Sequence, residues 1–311
     1  MAKVNPSTKL GVNAELNRSI KKAVIPIAGL GTRFLPLTKV VAKELFPLID
    51  KPILQYIVEE VIASGIEEII FVNRPEKKIV LNYFKKYLAE SPELERILKQ
   101  RKKNHLLKEL KNLEKISKKI SFSQVIQKRA LGDGNAILQA EKLLDKNPCA
   151  VLWADDVVES KIPCILQLIK VFEKYKKPII GLYRIPKESF RFYGMVGVKK
   201  IANRIYKIEK IVEKPRTRKE APSDLAVVGR YIFTQKVFEW LKKAPLNKNQ
   251  ESITSEILAE KIKEGEEILG YEFEGKWLEC GNKLAYLKSN LFLSLRHPQF
   301  GKELKKFLKN P

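Results

Sequence analysis

The junction at the head of this chain constrains its fold more than any other stretch. An apolar run from Ala23 to Ala28 is followed at once by Gly29, Leu30, Gly31, Thr32 and Arg33. The run is long enough for one buried strand. The glycines let the backbone turn tightly and approach a ligand closely, so that amide N–H groups can point at phosphate oxygens. Arg33 adds a fork of donors and a permanent charge, and Lys39 and Lys43 follow it. A strand end, a ring of amides and three cations form a site suited to a polyphosphate. Further on, Ile53 to Ser64 carries apolar residues at helical spacing and stops at Gly65, and Glu68 to Asn73 is a second apolar run. Strand, helix, strand implies a right-handed crossover and a parallel sheet. Two familiar phosphate loops are excluded. No Lys-Ser or Lys-Thr follows a glycine at P-loop spacing, and Phe34 stands where a dinucleotide fingerprint needs its third glycine.

The chain of 311 residues has room for one large or two modest domains. Its net charge of +24 invites a nucleic-acid or anionic-membrane reading. The basic residues are spread along the chain and no nucleic-acid-binding signature accompanies them, so we expect no nucleic-acid partner. Cys149, Cys164 and Cys280 are scattered and odd in number, which gives neither a disulfide framework nor a zinc spacing. They fit a reducing cytoplasm. The first residues lack an apolar core of signal-peptide length, and no run of about eighteen apolar residues exists, so no membrane partner is expected.

Residues 1–20 read as a poorly ordered lead-in and 21–311 as one unit. Glu76 to Lys119 reads as helical, split by Pro92, with Leu94, Ile97, Leu106, Leu107, Leu110 and Leu113 on apolar stripes and His105 at the surface. Strands are expected at Phe122–Ile126, Cys149–Ala154 and Pro178–Tyr183, alternating with helices. Further strands fall at Tyr193–Lys200, Arg204–Val212, Leu225–Phe233 and Ile268–Trp277, the last as one strand. Helices should cover Val237–Lys242, Thr254–Lys263, Lys283–Leu295 and Lys302–Leu308. Ligands in such sheets bind beyond the carboxyl ends of the strands. Gln127 and Gly132 lie at one such end. Asp155 and Asp156 lie at another, where paired carboxylates need a cation or serve as a helix cap.

GLGTRFLPLTK at 29–39, followed by KELFPLIDKP at 43–52, resembles the signature of the bacterial UTP–glucose-1-phosphate uridylyltransferases, within the sugar-1-phosphate nucleotidylyltransferase superfamily. Tyr193-Gly194, IVEKP at 211–215, VGRY at 228–231 and ECGNKLAY at 279–286 resemble further family segments, in the expected order. The resemblance implies an α/β fold, a Rossmann-like, mostly parallel mixed sheet flanked by helices, with a nucleotide half over about 21–185 and a sugar half over about 186–311. It implies transfer of a uridylyl group from UTP to glucose 1-phosphate with Mg²⁺ as cofactor, in a homo-oligomer, dimer or tetramer. Nucleotide contacts are implied for Ala28, Gly29, Leu30, Gly31, Thr32, Glu44, Gln127 and Gly132, the glutamine amide both donating to and accepting from a uracil edge. Arg33 would bear on the leaving pyrophosphate and Lys43 on the α-phosphate. Gly194, Glu213, Lys214 and Gly229 would hold the sugar phosphate. Asp155 would hold the metal, with Asp156 the alternative, and Glu279 would be a second carboxylate. Three positions depart from the family: Glu279 for aspartate, Asn135 for a usual histidine, and Trp153-Ala154 for Leu-Pro. The alternatives are a thymidylyl-, cytidylyl- or adenylyltransferase, and a weakly active regulatory paralogue that the Glu279 departure would suit.

Overall fold

In the computed structural model, which describes residues 19–84 and 91–310, the first apolar run becomes strand β1, Lys22–Pro26. Its residues feed two cores, Ala23 and Ile25 facing one apolar cluster and Val24 the other. A strand covered on both faces takes apolar residues at every position, which is why the run shows no alternation. A small hairpin, β2 (Pro47–Leu48) and β3 (Lys51–Pro52), leads into helix α1, Ile53–Ala63. Strand β4, Glu68–Asn73, then pairs parallel with β1. The expected crossover unit is present. The expected lead-in lies outside the described residues, except for Ser19 and Ile20.

The helical stretch after β4 divides into α2 (Lys78–Phe84), α3 (Pro92–Gln100) and α4 (Asn104–Lys119), and its residues 85–90 lie outside the described set. Pro92 begins α3, a first-turn position where its missing N–H removes no helix bond. The expected apolar stripes are partly corrected. Leu94 and Leu106 are exposed, and the buried positions are Leu98 and Ile116.

The remaining strands are β5 (Ser121–Ile126), β6 (Cys149–Leu152), β7 (Asp156–Glu159), β8 (Ile179–Arg184), β9 (Gly194–Ala202), β10 (Ile205–Glu213), β11 (Leu225–Phe233), β12 (Leu269–Glu272) and β13 (Lys276–Glu279). The helices between and after them are α5 (Gly132–Gln139), α6 (Cys164–Tyr175), α7 (Gln235–Lys243), α8 (Thr254–Lys263), α9 (Lys283–Ser294) and α10 (Gly301–Phe307). One nine-stranded sheet has the spatial order β5-β4-β1-β6-β11-β8-β12-β10-β9. Pairing is parallel from β5 through β6 and again between β8 and β12, and antiparallel elsewhere. The sheet is therefore mixed. Among the described residues no helix is long and apolar enough to cross a membrane.

The single strand expected over Ile268–Trp277 is corrected to two. The chain breaks at Gly275, whose φ of 136° is poorly accessible to other residues. A Cβ there would also come within 2.7 Å of Ser160 Cβ and 2.8 Å of Glu159 O. After the break β13 leaves the main sheet and pairs antiparallel with β7. That pairing sets Glu279 opposite Asp156.

Candidate active site

Two cavities open at the carboxyl ends of β1, β5 and β6. The first, of about 250 Å³, is lined by Ala28, Gly29 and Leu30 from the loop after β1, by Lys43 and Glu44, and by Gln127, Gly132, Asp133 and Trp153. Glu44 is almost fully buried, and both its oxygens accept from Lys77 Nζ, at 2.9 and 3.0 Å. Lys77 also donates to Ile27 O at 3.0 Å, which ties the end of β1 to the loop. Burial, only partly countered by Glu44, lowers the Lys77 pKa. Gln127 is buried, and its Nε2 donates to Gly132 O and to Asn135 Oδ1, each at 3.0 Å.

The second cavity, of about 370 Å³, takes Arg33, Asp156, Tyr193, Gly194, Glu213, Lys214, Gly229, Ser255, Trp277 and Glu279 among its walls. Gly194 makes room for Glu213, since a Cβ there would sit 3.0 Å from Glu213 Oε2. That oxygen accepts from Ser255 Oγ at 3.1 Å. Lys214 has a φ of 44°, a left-handed conformation uncommon for a long side chain, and its N–H donates to Tyr193 O at 3.1 Å. Such backbone conformations cluster at functional sites. Gly229 is required by space: a Cβ there would lie 2.4 Å from Asp156 Oδ2 and 2.5 Å from Trp153 Cβ.

Asp133, Trp153 and Asp155 line both cavities and so mark where they meet. Asp155 Oδ2 accepts from Lys43 Nζ at 2.5 Å. Burial would raise the Asp155 pKa, but the Lys43 charge and hydrogen bond overcome it and hold the carboxyl below the usual range. Burial likewise opposes the charge on Lys43, and Asp155 and Glu44 restore it, leaving its pKa raised. The pair is ionised at neutral pH. Asp156 is engaged differently. Its Oδ1 accepts from Trp277 Nε1 at 2.7 Å and its Oδ2 from Gly229 N at 3.0 Å. Burial and then the Asp155 charge push its pKa up to about 7. Glu279 Oε2 accepts from Tyr193 Oη at 2.6 Å, and its Oε1 from Asn282 Nδ2 at 3.0 Å.

The donor set at the junction fits a hard divalent cation. Asp155 Oδ2 and Glu279 Oε1 lie 3.2 and 3.6 Å from the point where a Cβ on Gly281 would sit, so the missing side chain leaves space between two carboxylates. Arg33 Nη1 is 3.6 Å from the same point. Among the described residues no group of three or more His, Cys, Asp or Glu is placed to hold a metal by itself. Mg²⁺ suits such a half-built site, because it is often held by one or two carboxylates with phosphate oxygens and water.

Most of the expected site residues are brought together, but not all. Gly31 and Thr32 line neither cavity; the Gly31 carbonyl accepts from Thr38 Oγ1 at 2.8 Å, folding the loop on itself at a φ of 69°. Lys39, the third expected cation, also lies outside both. Conversely, Asp133, Ser255 and Trp277 went unmarked in the sequence. Asp133 stands inside the glycine segment after β5, where a charge between glycines was a signal. Ser255 opens a helix far along the chain and carried none.

Residues 22–295 match a family model described as nucleotidyl transferase. A UTP–glucose-1-phosphate uridylyltransferase of Bacillus subtilis strain 168 is 36% identical over 291 residues, which are 94% of this chain and 97% of that one. One of Staphylococcus epidermidis is 36% identical over 94% of this chain and 98% of its own. Among solved structures, a UDP-glucose pyrophosphorylase complexed with UDP-glucose superposes with a TM-score of 0.78 at 34% identity, covering 89% of this chain and 100% of that chain. A UTP-bound enzyme of the same type from Acinetobacter baumannii gives 0.82 at 34% identity, covering 94% and 99%.

Proposed function

This chain belongs to the nucleotidyl transferase family, and from that premise we propose that it transfers the uridylyl group of UTP to glucose 1-phosphate, giving UDP-glucose and pyrophosphate. The observation that carries the reading is the meeting of two unlike cavities at one charged junction. The smaller, with its buried glutamine and glycine walls, suits a nucleotide. The larger, with Glu213, Ser255 and Lys214, suits a phosphorylated polyol. The relatives whose names include UTP and UDP-glucose support the choice of substrates.

In the reaction a phosphate oxygen of the sugar phosphate attacks the α-phosphorus of UTP. The bond from that phosphorus to the β-phosphate bridging oxygen breaks, and pyrophosphate leaves with the bonding pair. No covalent intermediate with the protein is needed. The protein works by position and charge. Lys214 seats the sugar phosphate, with Glu213 and Gly194 shaping the space for the hexose. Arg33 faces the departing pyrophosphate, and Lys43 neutralises the α-phosphate once it turns from Asp155. Asp155 and Glu279 would hold Mg²⁺, which when bound neutralises phosphate charge and polarises the phosphoryl oxygens. Ala28, Gly29, Leu30, Gln127 and Gly132 orient the base and ribose. A pyrophosphate-release assay with glucose 1-phosphate, Mg²⁺ and each of four nucleoside triphosphates tests the reading. Release with UTP well above the others is expected; no release with UTP overturns it.

A further inference from the structure

Gln127 is held more firmly than contact with a ligand requires. Its amide nitrogen is already engaged within the protein, donating to Gly132 O and to Asn135 Oδ1. A backbone carbonyl only accepts, so Gly132 O favours the orientation that puts the amide nitrogen on its side. Asn135, on the next residues of α5, supplies the second acceptor. A turned amide would set its oxygen against the Gly132 carbonyl and, in the orientation Asn135 holds, against Asn135 Oδ1 as well. The atom left over is Oε1, an acceptor, and Gln127 lines the nucleotide cavity.

We infer that Asn135 is a positioning residue for base choice: it holds Gln127 in one amide orientation, so that the glutamine offers the base an acceptor and no donor. The inference rests on the uridylyltransferase reading. It also narrows the sequence expectation, in which the same amide both donates and accepts. Uracil carries N3–H, which the acceptor satisfies. Cytosine carries an unprotonated N3, so two lone pairs would face each other and both groups would go unpaired. Rejection of cytosine therefore arises from a repulsive contact as well as from an attractive one with uracil. Asn135 touches the base only through Gln127. Removing it leaves Gly132 as the sole anchor, and the amide gains freedom to turn its nitrogen towards cytosine.

The test is calorimetric binding of UTP and of CTP, with Mg²⁺, to the wild type, Asn135→Ala and Asn135→Asp. Asn135 is only partly buried and lies on a helix, where alanine is the best-tolerated residue, so Asn135→Ala should fold. The wild type should prefer UTP. In Asn135→Ala the preference should shrink by about tenfold, in part through tighter CTP binding, the worth of roughly one hydrogen bond. Asn135→Asp retains an acceptor and should keep the preference within about twofold. A general loosening of the fold would weaken both nucleotides alike and leave the ratio unchanged. An unchanged ratio in Asn135→Ala, an equal loss in Asn135→Asp, or a wild type that binds both nucleotides alike overturns the inference. A wild type that prefers UTP but forms no UDP-glucose overturns the uridylyltransferase reading instead and leaves the role of Asn135 standing.

Discussion

Asp155 and Asp156 are adjacent in the chain and different in engagement. Asp155 is bonded to the ammonium at the end of Lys43, a long side chain that a phosphate could draw away. Asp156 is fixed by two rigid donors, an indole and a backbone amide. We predict that Asp155→Asn lowers turnover by on the order of a hundredfold or more, as loss of a preorganised electrostatic element does, and also lowers folding stability, because Lys43 loses the carboxylate that offsets its burial. Asp156→Asn should lose less turnover and about 1–3 kcal/mol of stability, because its amide nitrogen would face one of the two donors. Steady-state rates separate the two variants and urea denaturation measures both losses of stability; greater sensitivity of turnover at Asp156 would reverse the assignment. Gln127→Ala should weaken discrimination for UTP over CTP by roughly 1–3 kcal/mol, measured as a ratio of kcat/KM values. Lys43, Gln127 and Asp155 were legible in the sequence because each sits in or beside a short segment at a strand end, where chain-local pattern and site coincide. Ser255 and Trp277 were not. Ser255 gains its place from Glu213 and Trp277 from Asp156, contacts made only after distant segments pair.

Most strands and helices were legible for a similar reason: apolar runs and periodicities are local. The break at Gly275 was not, because residues on both sides of it read as strand and only the packing of Ser160 and Glu159 beneath shows why the chain turns. Its consequence falls on Glu279, which β13 carries into the second cavity. The glutamate's extra methylene is accommodated, since Tyr193 and Asn282 each hold one of its oxygens. Asn282 also caps α9 by accepting from Ala285 N at 3.0 Å, so the carboxylate is referenced to a helix end. Glu279→Asp should therefore impair the enzyme, by roughly tenfold to a hundredfold in turnover, because a displacement of about 1 Å is costly in such a site. Turnover at saturating UTP and Mg²⁺ checks this; a faster aspartate variant would mean that the position is poorly tuned. Gly275→Ala should cost about 1–3 kcal/mol in thermal unfolding through its φ alone, and more if Ser160 cannot move.

Over the whole molecule, the buried pair Glu60–Arg230 lies behind the site. Arg230 is fully buried; its Nη2 donates to Glu60 Oε2 at 2.7 Å and to Asp156 O at 2.5 Å, and its Nη1 donates to Gly229 O at 2.8 Å. Glu60, on α1, also accepts from Ile165 N at the start of α6. One ion pair thus joins two helices, β11 and the Asp155–Asp156 turn. Arg230→Met should cost about 3–5 kcal/mol, the penalty for stranding a buried carboxylate, and adding Glu60→Leu should recover part of it. Chemical denaturation of the single and double variants measures both. Strand β11 runs through the same place. Residues 230–233 pair with β6, 225–228 and 231–232 pair with β8, and Ala226 meets β9, with a register shift between Val228 and Tyr231 beside Gly229. Mechanically this is a tie-rod: the strand that lines the second cavity at Val227, Gly229 and Tyr231 is bonded directly to β6, the strand whose end lies beneath the first. The sheet has no free joint there about which to swing. Movement that admits ligands is then expected in rim segments such as 187–192, whose Phe192 lines the second cavity, and 244–253, whose Glu251 lines the first. During turnover, the amides of β11 should exchange with deuterium as slowly as they do at rest, while those of the rim change pace.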